Sequence, residues 1–246
     1  MTGPRAEAVI LAARHAGQAH PARRVGEACR AALRGEYSVG LTLAADAALA
    51  QRVSLCFAGP LAERGESLQI NLGQGPCVQA LRQRAPVLAD DLDDPDATRQ
   101  WPVYAQQATA HHIRAAFALP VLSDTGPAPR AGLVLTLYRD RPGPITGPDL
   151  QTAQDHADAT ELLLLASPLP DEDDLAHAWL LPTDAVVHQA IGMISYRHGL
   201  TADQALALLR AHAQAQDTDL AVLAHAVVHD HHTLPGAPEP PGSTDR

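Results

Sequence analysis

The residues of this chain that could do covalent or metal chemistry are thirteen histidines, three cysteines and a run of aspartates. Histidine acts as a general base or a metal ligand, so its neighbours decide which. His111-His112 and His229-x-His231-His232 have the look of ligand clusters. Pairs of that kind at helix ends read first as solvent-facing side chains. No Gly-x-Ser-x-Gly elbow and no His-Glu-x-x-His is present, and no cysteine stands at a useful spacing from a helical histidine. Cys29, Cys56 and Cys77 are odd in number, far apart and without a C-x-x-C, which points to buried thiols in a reducing compartment rather than zinc or disulfides. Five aspartates fall between Asp90 and Asp96. Oxygen ligands suit a hard cation, but the Gly and distal Glu of an EF-hand loop are missing, so the run reads as a solvated loop. Gly73-Gln-Gly-Pro76 would cradle phosphate only as part of a full G-x-G-x-x-G or before a Gly-Lys-Ser/Thr. Neither is there, and the glycines read as a turn that launches a helix. The expectation is a chain that is not an enzyme and holds no metal and no cofactor.

Composition narrows the partners. At 246 residues the chain makes one large domain or two modest ones. Aromatics are only 3% of it, so the core must rest on Leu, Val, Ile and Ala. A formal net charge of −10 argues against indiscriminate nucleic-acid binding, which rests on neutralising phosphates, but leaves room for a local patch. No apolar run is long enough to cross a membrane. The apolar stretch Ala8 to Ala13, flanked by Arg5 and Arg14, is short for a signal peptide. The expected location is the cytoplasm.

The elements that must position any site follow from periodicity and punctuation. Residues 1–19 read as a helical extension. Gly26 to Arg34 reads as helix closing at Gly35. Tyr37–Leu43 and Val53–Phe57 alternate and read as a hairpin, and Ser67–Leu72 alternates strictly and reads as a third strand. Pro76 to Arg84 reads as helix with proline in its first turn, Val87-Leu88 as strand, and Trp101-Pro102 to His112 as helix. Ala115–Leu122 and Ala131–Tyr138 are the best strands, an antiparallel pair, and Pro148 to about Ala166 is a long helix. Helices thus flank a mostly antiparallel sheet, an α+β layout over residues 20–166. Residues 167–182, with Pro168, Pro170, Pro182 and an acidic run, read as a linker. Three short helical patterns follow over 183–232, with apolar stripes at Val187, Ile191, Ile194, at Ala205, Leu208, Leu209, His212, and at Leu220, Leu223, Ala224, Val227. Gly199 would C-cap the first, Thr201 and Gln204 form a capping box for the second, and Thr218 or Asp217 caps the third. Residues 233–246 read as a disordered tail.

Two resemblances attach to these elements. Val187-His-Gln-Ala-x-Gly192-Met193, Ala205-Leu206, Leu208-Leu209-Arg210 and Leu220-Ala221-x-x-Ala224-x-x-Val227-Val228 resemble the ANTAR domain, a three-helix RNA-binding module of transcription antiterminators. Leu72-Gly-Gln-Gly-Pro-Cys-Val-Gln-Ala-Leu81, Asp90-Asp91-Leu92, Trp101-Pro102-x-Tyr104, Phe117 to Pro120 and Gly132 to Tyr138 before Pro142-Gly143-Pro144 resemble a GAF domain of the kind fused to such modules. The Asn-Lys-x-Phe-Asp-Glu signature of cyclic-nucleotide GAF domains is absent, which disfavours that ligand.

The resemblances imply a signal-responsive regulator of transcription termination, binding a stem-loop in nascent RNA. The implied RNA contacts are His188, Gln189, Ser195 and Arg197 on the first helix, with Ala190 and Gly192 letting RNA come close, and Arg210 on the second. Gly75, Asp91 and Trp101 are implied as candidates for an unidentified small-molecule ligand. One departure stands against tight RNA binding: residues 183–232 hold two arginines against five aspartates, a net of −3 with histidine neutral. The alternative is a small-molecule-binding or dimerisation adaptor whose ANTAR segment no longer binds RNA. Apolar side chains at Leu162–Leu165 and Trp179–Leu181 point to a homodimer through the helix at 148–166 and the linker.

Overall fold

The computed structural model describes residues 21–44, 52–122, 132–166 and 182–234, apart from 217, 231 and 233. The expected N-terminal extension, the connection at 45–51, the loop at 123–131, residues 167–181 of the linker and the tail from 235 on lie outside the described residues. The chain divides into two compact units, Met1–Trp179 and Leu180–Arg246.

In the first unit α1 (Pro21–Ala32) precedes the hairpin β1 (Ser38–Ala44) and β2 (Arg52–Ala58). Then come α2 (Ala62–Leu72), α3 (Pro76–Gln83), β3 (Val87–Ala89), α4 (Pro95–Gln100) and α5 (Pro102–Ala110). The pair β4 (Ala115–Leu122) and β5 (Gly132–Arg139) and the long α6 (Gly147–Ala166) complete it. The five strands form one sheet in the order β2-β1-β5-β4-β3, antiparallel throughout. This is the expected α+β fold. Alternation along the strands sorts side chains to two faces. On one face Val39, Leu41, Phe117, Leu119, Leu135 and Leu137 pack with Cys29 of α1, Leu33 just past its end, and Ala153 and Ala157 of α6. On the other Ala116, Ala118, Val134 and Tyr138 pack with Leu68, Cys77, Trp101 and Tyr104 from α2, α3 and the start of α5.

One expectation is corrected. Residues 67–72 are not a strand but the second half of α2. Its buried positions are Ala62, Gly65, Glu66, Leu68 and Gln69, a helical spacing that includes two polar residues. Apolar periodicity cannot see a stripe whose buried members are Glu and Gln, and what remains visible is the accidental alternation of Leu68, Ile70 and Leu72.

Among the described residues the second unit has three helices, α7 (Pro182–His198), α8 (Ala202–Ala215) and α9 (Leu220–His229). Its interior is Ala190, Ile191, Ile194, Ala205, Leu206, Leu209, Ala213, Leu220, Leu223, Ala224, Val227 and Leu234. Leu234, placed by the sequence in a disordered tail, is buried at 5% exposure. On α8 the buried stripe is Ala205, Leu206, Leu209 and Ala213, rotated from the expected one, so that Leu208 and His212 are only half-buried.

The helix ends follow local chemistry. Gly199 has φ +65°, the left-handed conformation that glycine adopts without a Cβ clash, and Leu200 N–H donates to the Ser195 carbonyl at 3.2 Å, the six-to-one bond of a Schellman stop. Thr201 and Gln204 make both bonds of the capping box. Asp219, not Thr218 or Asp217, caps α9, its carboxylate accepting from Ala221 N–H at 2.8 Å. Thr218 N–H instead donates to the Ala213 carbonyl at 2.9 Å.

These caps carry a measurable share of a small bundle's stability. Thr201→Ala removes the acceptor for Gln204 N–H and should cost about 0.5–2 kcal/mol. Amide hydrogen exchange of residues 202–229 in the full chain should speed up accordingly, with exchange in the sheet unchanged.

Candidate functional site

The second unit offers one surface whose make-up stands apart from the acidic chain. From Ala185 to Leu200 there is no Asp or Glu, while His188, Arg197 and His198 lie within it. On α7 the inward side is Ala190, Ile191 and Ile194, at 0%, 7% and 2% exposure. On the opposite side Gln189, Gly192 and Tyr196 are exposed, and the stripe continues to Gly199, because steps of three and four residues stay on one helix face. His188 is half-buried beside this stripe. Arg197, also half-buried, lies about a third of a turn round the helix from the stripe's centre by its 100° step.

The expected contact residues therefore separate. Gln189 and Gly192 share the open face, with His188 at its edge. Ala190 is fully buried, so its small side chain serves helix packing and not close approach by RNA. The Ser195 hydroxyl is buried without a hydrogen-bond partner, turned away from solvent by the i+4 step from buried Ile191. Arg210 on α8 is half-buried with a guanidinium nitrogen inside the fold, which ties the side chain to the bundle. The sequence reading missed Tyr196. Its ring is 91% exposed, whereas the other three tyrosines, Tyr37, Tyr104 and Tyr138, are at 2%, 0% and 0%. The signal available in the sequence was its spacing, seven residues after Gln189 and four after Gly192.

In the first unit a buried chain of hydrogen bonds runs across the inner face of the sheet. Cys77 N–H donates to Gln69 Oε1 at 2.7 Å, and Gln69 Nε2 donates to Tyr138 Oη at 2.7 Å. The Tyr138 hydroxyl donates to Glu66 Oε1 at 2.7 Å, and Thr42 Oγ1 donates to Glu66 Oε2. Thr42, Glu66, Gln69 and Tyr138 are all at 0% exposure. Burial pushes the Tyr138 phenol well up, and the Glu66 carboxylate pushes it further, so it stays protonated and keeps its proton for the hydrogen bond. Tyr104 is raised by the same two causes. The Tyr104 hydroxyl and Thr136 Oγ1 are buried beside this network without a protein partner.

The ligand candidates implied by the sequence divide here. Gly75, at φ +120°, carries no Cβ where one would lie 2.6 Å from Gln69 Oε1, so it belongs to the turn that lets the network close. Trp101, 6% exposed, meets Tyr104 edge to face at 6.4 Å and belongs to the same cluster. Asp91 does not: its carboxylate accepts from Asp93 N–H at 3.0 Å and pairs with Arg114 at 3.1 Å, with side chains about a third exposed. Glu66, Gln69 and Tyr138 escaped sequence reading because Gln69 lay in a segment taken for a strand, Glu66 stood at its edge, and Tyr138 is 72 residues from Glu66.

Among the described residues no group of three or more His, Cys, Asp or Glu is placed to hold a metal ion. Cys29 and Cys56 are buried, and both thiols are pushed up to about 12, by burial first and then by each other's charge for Cys29 and by Glu27 for Cys56. Cys77 is buried as well. No helix among the described residues is long and apolar enough to cross a membrane.

A family model for the GAF domain matches residues 19–164, and one for the ANTAR domain matches residues 181–228. No curated protein matches the chain. Solved structures similar to it include the free methionine-R-sulfoxide reductase of Neisseria meningitidis in complex with its substrate, at 18% identity, covering 66% of this chain and 89% of that one with a TM-score of 0.44. An N-acylhomoserine lactone dependent LuxR-family transcription factor of Burkholderia cenocepacia matches at 19% identity, 68% and 100% coverage and TM-score 0.45. SdiA of Escherichia coli matches at 13% identity, 92% and 97% coverage and TM-score 0.46. None of these likenesses bears on what this chain binds.

The network makes a quantitative demand on the first unit. Tyr138→Phe takes away the acceptor of the Gln69 amide and a donor to Glu66. A buried polar group deprived of its partner costs about 1–3 kcal/mol. The variant should unfold at lower urea than wild type, with a free energy of unfolding smaller by about 1–3 kcal/mol.

Proposed function

Because the chain belongs to the GAF domain family and carries an ANTAR domain at its C-terminus, we propose that it is a signal-responsive RNA-binding regulator of transcription termination. GAF is a sensor domain and ANTAR an RNA-binding antiterminator domain. The first unit senses, and its state governs whether the second engages a stem-loop in nascent RNA. Binding stabilises one RNA fold against the terminator, so the protein shifts an equilibrium and breaks no bond.

The observation that carries this reading is the acid-free face of α7. In a chain of net charge −10, phosphate attraction is weak, and affinity has to come from a few placed contacts. Unpaired loop bases offer polar edges and flat faces for such contacts. Gln189 reads an edge, Gly192 leaves the helix backbone open, and His188 and Arg197 flank them as donors. Arg210 reaches a phosphate only with the part of its guanidinium outside the fold, since Nη2 is buried. Ala190 and Ser195 act from within, by setting the packing of α7. The sensing interior is the region of Glu66, Gln69, Tyr138 and Trp101, where buried hydroxyls of Tyr104 and Thr136 could bind a small polar ligand. The chain works as a homodimer assembled through α6 and the linker, in the cytoplasm.

A second reading, a protein-docking adaptor, draws on a groove of about 440 Å³ in the second unit lined by Val186, Ala221, Val222, His225, Ala226 and Asp230. Val222 is 62% exposed there.

Titration of the full chain against a labelled stem-loop RNA at two salt concentrations decides between the two. The RNA reading expects saturable binding with a shallow salt dependence, and a loss of about tenfold in Gln189→Ala, the order of one polar base contact. No binding at low salt would favour the adaptor. Sedimentation should give twice the chain mass; a concentration-independent mass of one chain would remove the dimer.

A further inference from the structure

Resting on the RNA reading, we propose that Tyr196 is a stacking platform for one unpaired base of the RNA loop, and that Gly192 is the shelf on which that base lies. An amphipathic ring left 91% exposed in a chain whose other three tyrosines are buried is not there for the fold. Side chains on a helix lean back toward the preceding turn, which for Tyr196 is the turn holding Gly192. Apart from its two chain neighbours and the helix's own backbone, no atom lies within 4 Å of where a Cβ on Gly192 would be. The turn of helix preceding Tyr196 on this stripe thus presents bare backbone at Gly192, open to a flat group.

The neighbours suit a nucleobase. Gln189, exposed on the same stripe, stands one turn beyond Gly192, with an amide that can both donate and accept. A base seated on the Tyr196 ring would point an edge toward it. No carboxylate occurs from Ala185 to Leu200, the nearest in sequence being Asp184 and Asp203, so a backbone phosphate carried along with the base meets no like charge on this stretch. A protein partner would call for exposed apolar side chains around the ring; the stripe supplies Gln189, Gly192 and Gly199 instead, and the flanking Met193 and Leu200 are half-buried. Stacking on an aromatic side chain tolerates any base and adds affinity without added positive charge, which is what an acidic module needs.

The test uses the full chain and a stem-loop RNA carrying 2-aminopurine at one loop position at a time. Wild type should quench the probe at one position. Tyr196→Phe should keep both the quench and the affinity. Tyr196→Ala should weaken binding by about tenfold or more, the usual scale for one stacked base, and abolish the quench at that position. Gly192→Ala should make α7 a better helix yet weaken binding, since its methyl occupies the shelf. Tyr196→Ala with unchanged affinity and quench would overturn the stacking role and leave the RNA reading intact. Tyr196→Ala that changes the sedimenting mass instead would show a protein contact and overturn it as well. Wild type that binds no stem-loop at low salt would remove the RNA reading and this inference together.

Discussion

The first unit depends on one hydroxyl. Tyr138 Oη accepts from Gln69 and donates to Glu66, and through these two it joins β5 to α2, through Thr42 to β1, and through Cys77 N–H to the start of α3. All of this happens where water is excluded, so each bond is strong and each missing partner expensive. The sequence around the network is arranged to let it close. A Cβ on Gly65 would come 2.5 Å from the Tyr138 ring, and one on Gly40 would come 2.2 Å from the Glu66 carboxylate. The glycines are small because the polar side chains are large, and the same sheet face carries small residues too, Ala116 and Ala118. The other face of the sheet packs aliphatic side chains with Phe117, Tyr37, Cys29 and Cys56.

The second unit follows the opposite logic. Its interior is small and apolar, and its specificity is placed outside. Stability there comes from local devices, a Schellman stop at Gly199, a capping box at Thr201 and Gln204, and an Asp219 cap, because a bundle of three short helices buries little. Fixing both ends of the turn between α7 and α8 also fixes how the last turn of α7, with Tyr196 on it, is displayed.

Much of this was legible in the sequence. The best strands, β4 and β5, were visible from alternation, α3 from Pro76 at its start, and α7 to α9 from their stripes and punctuation, since hydrophobic period and capping are local signals. The segment 67–72 was not legible, because its helix buries Glu66 and Gln69, and the partner that makes such burial tolerable, Tyr138, is 72 residues from Glu66.

The sequence by itself determined the order of most elements, residues 67–72 and α4 excepted, the two-part organisation and the polar residues of the α7 region, since these follow from spacing along the chain. Only the tertiary structure decided which of those residues face water. Ala190 and the Ser195 hydroxyl turn inward and Gln189, Gly192 and Tyr196 outward because α8 and α9 pack against one side of α7. That choice is made by helix-to-helix packing, and no window of sequence around Tyr196 contains it.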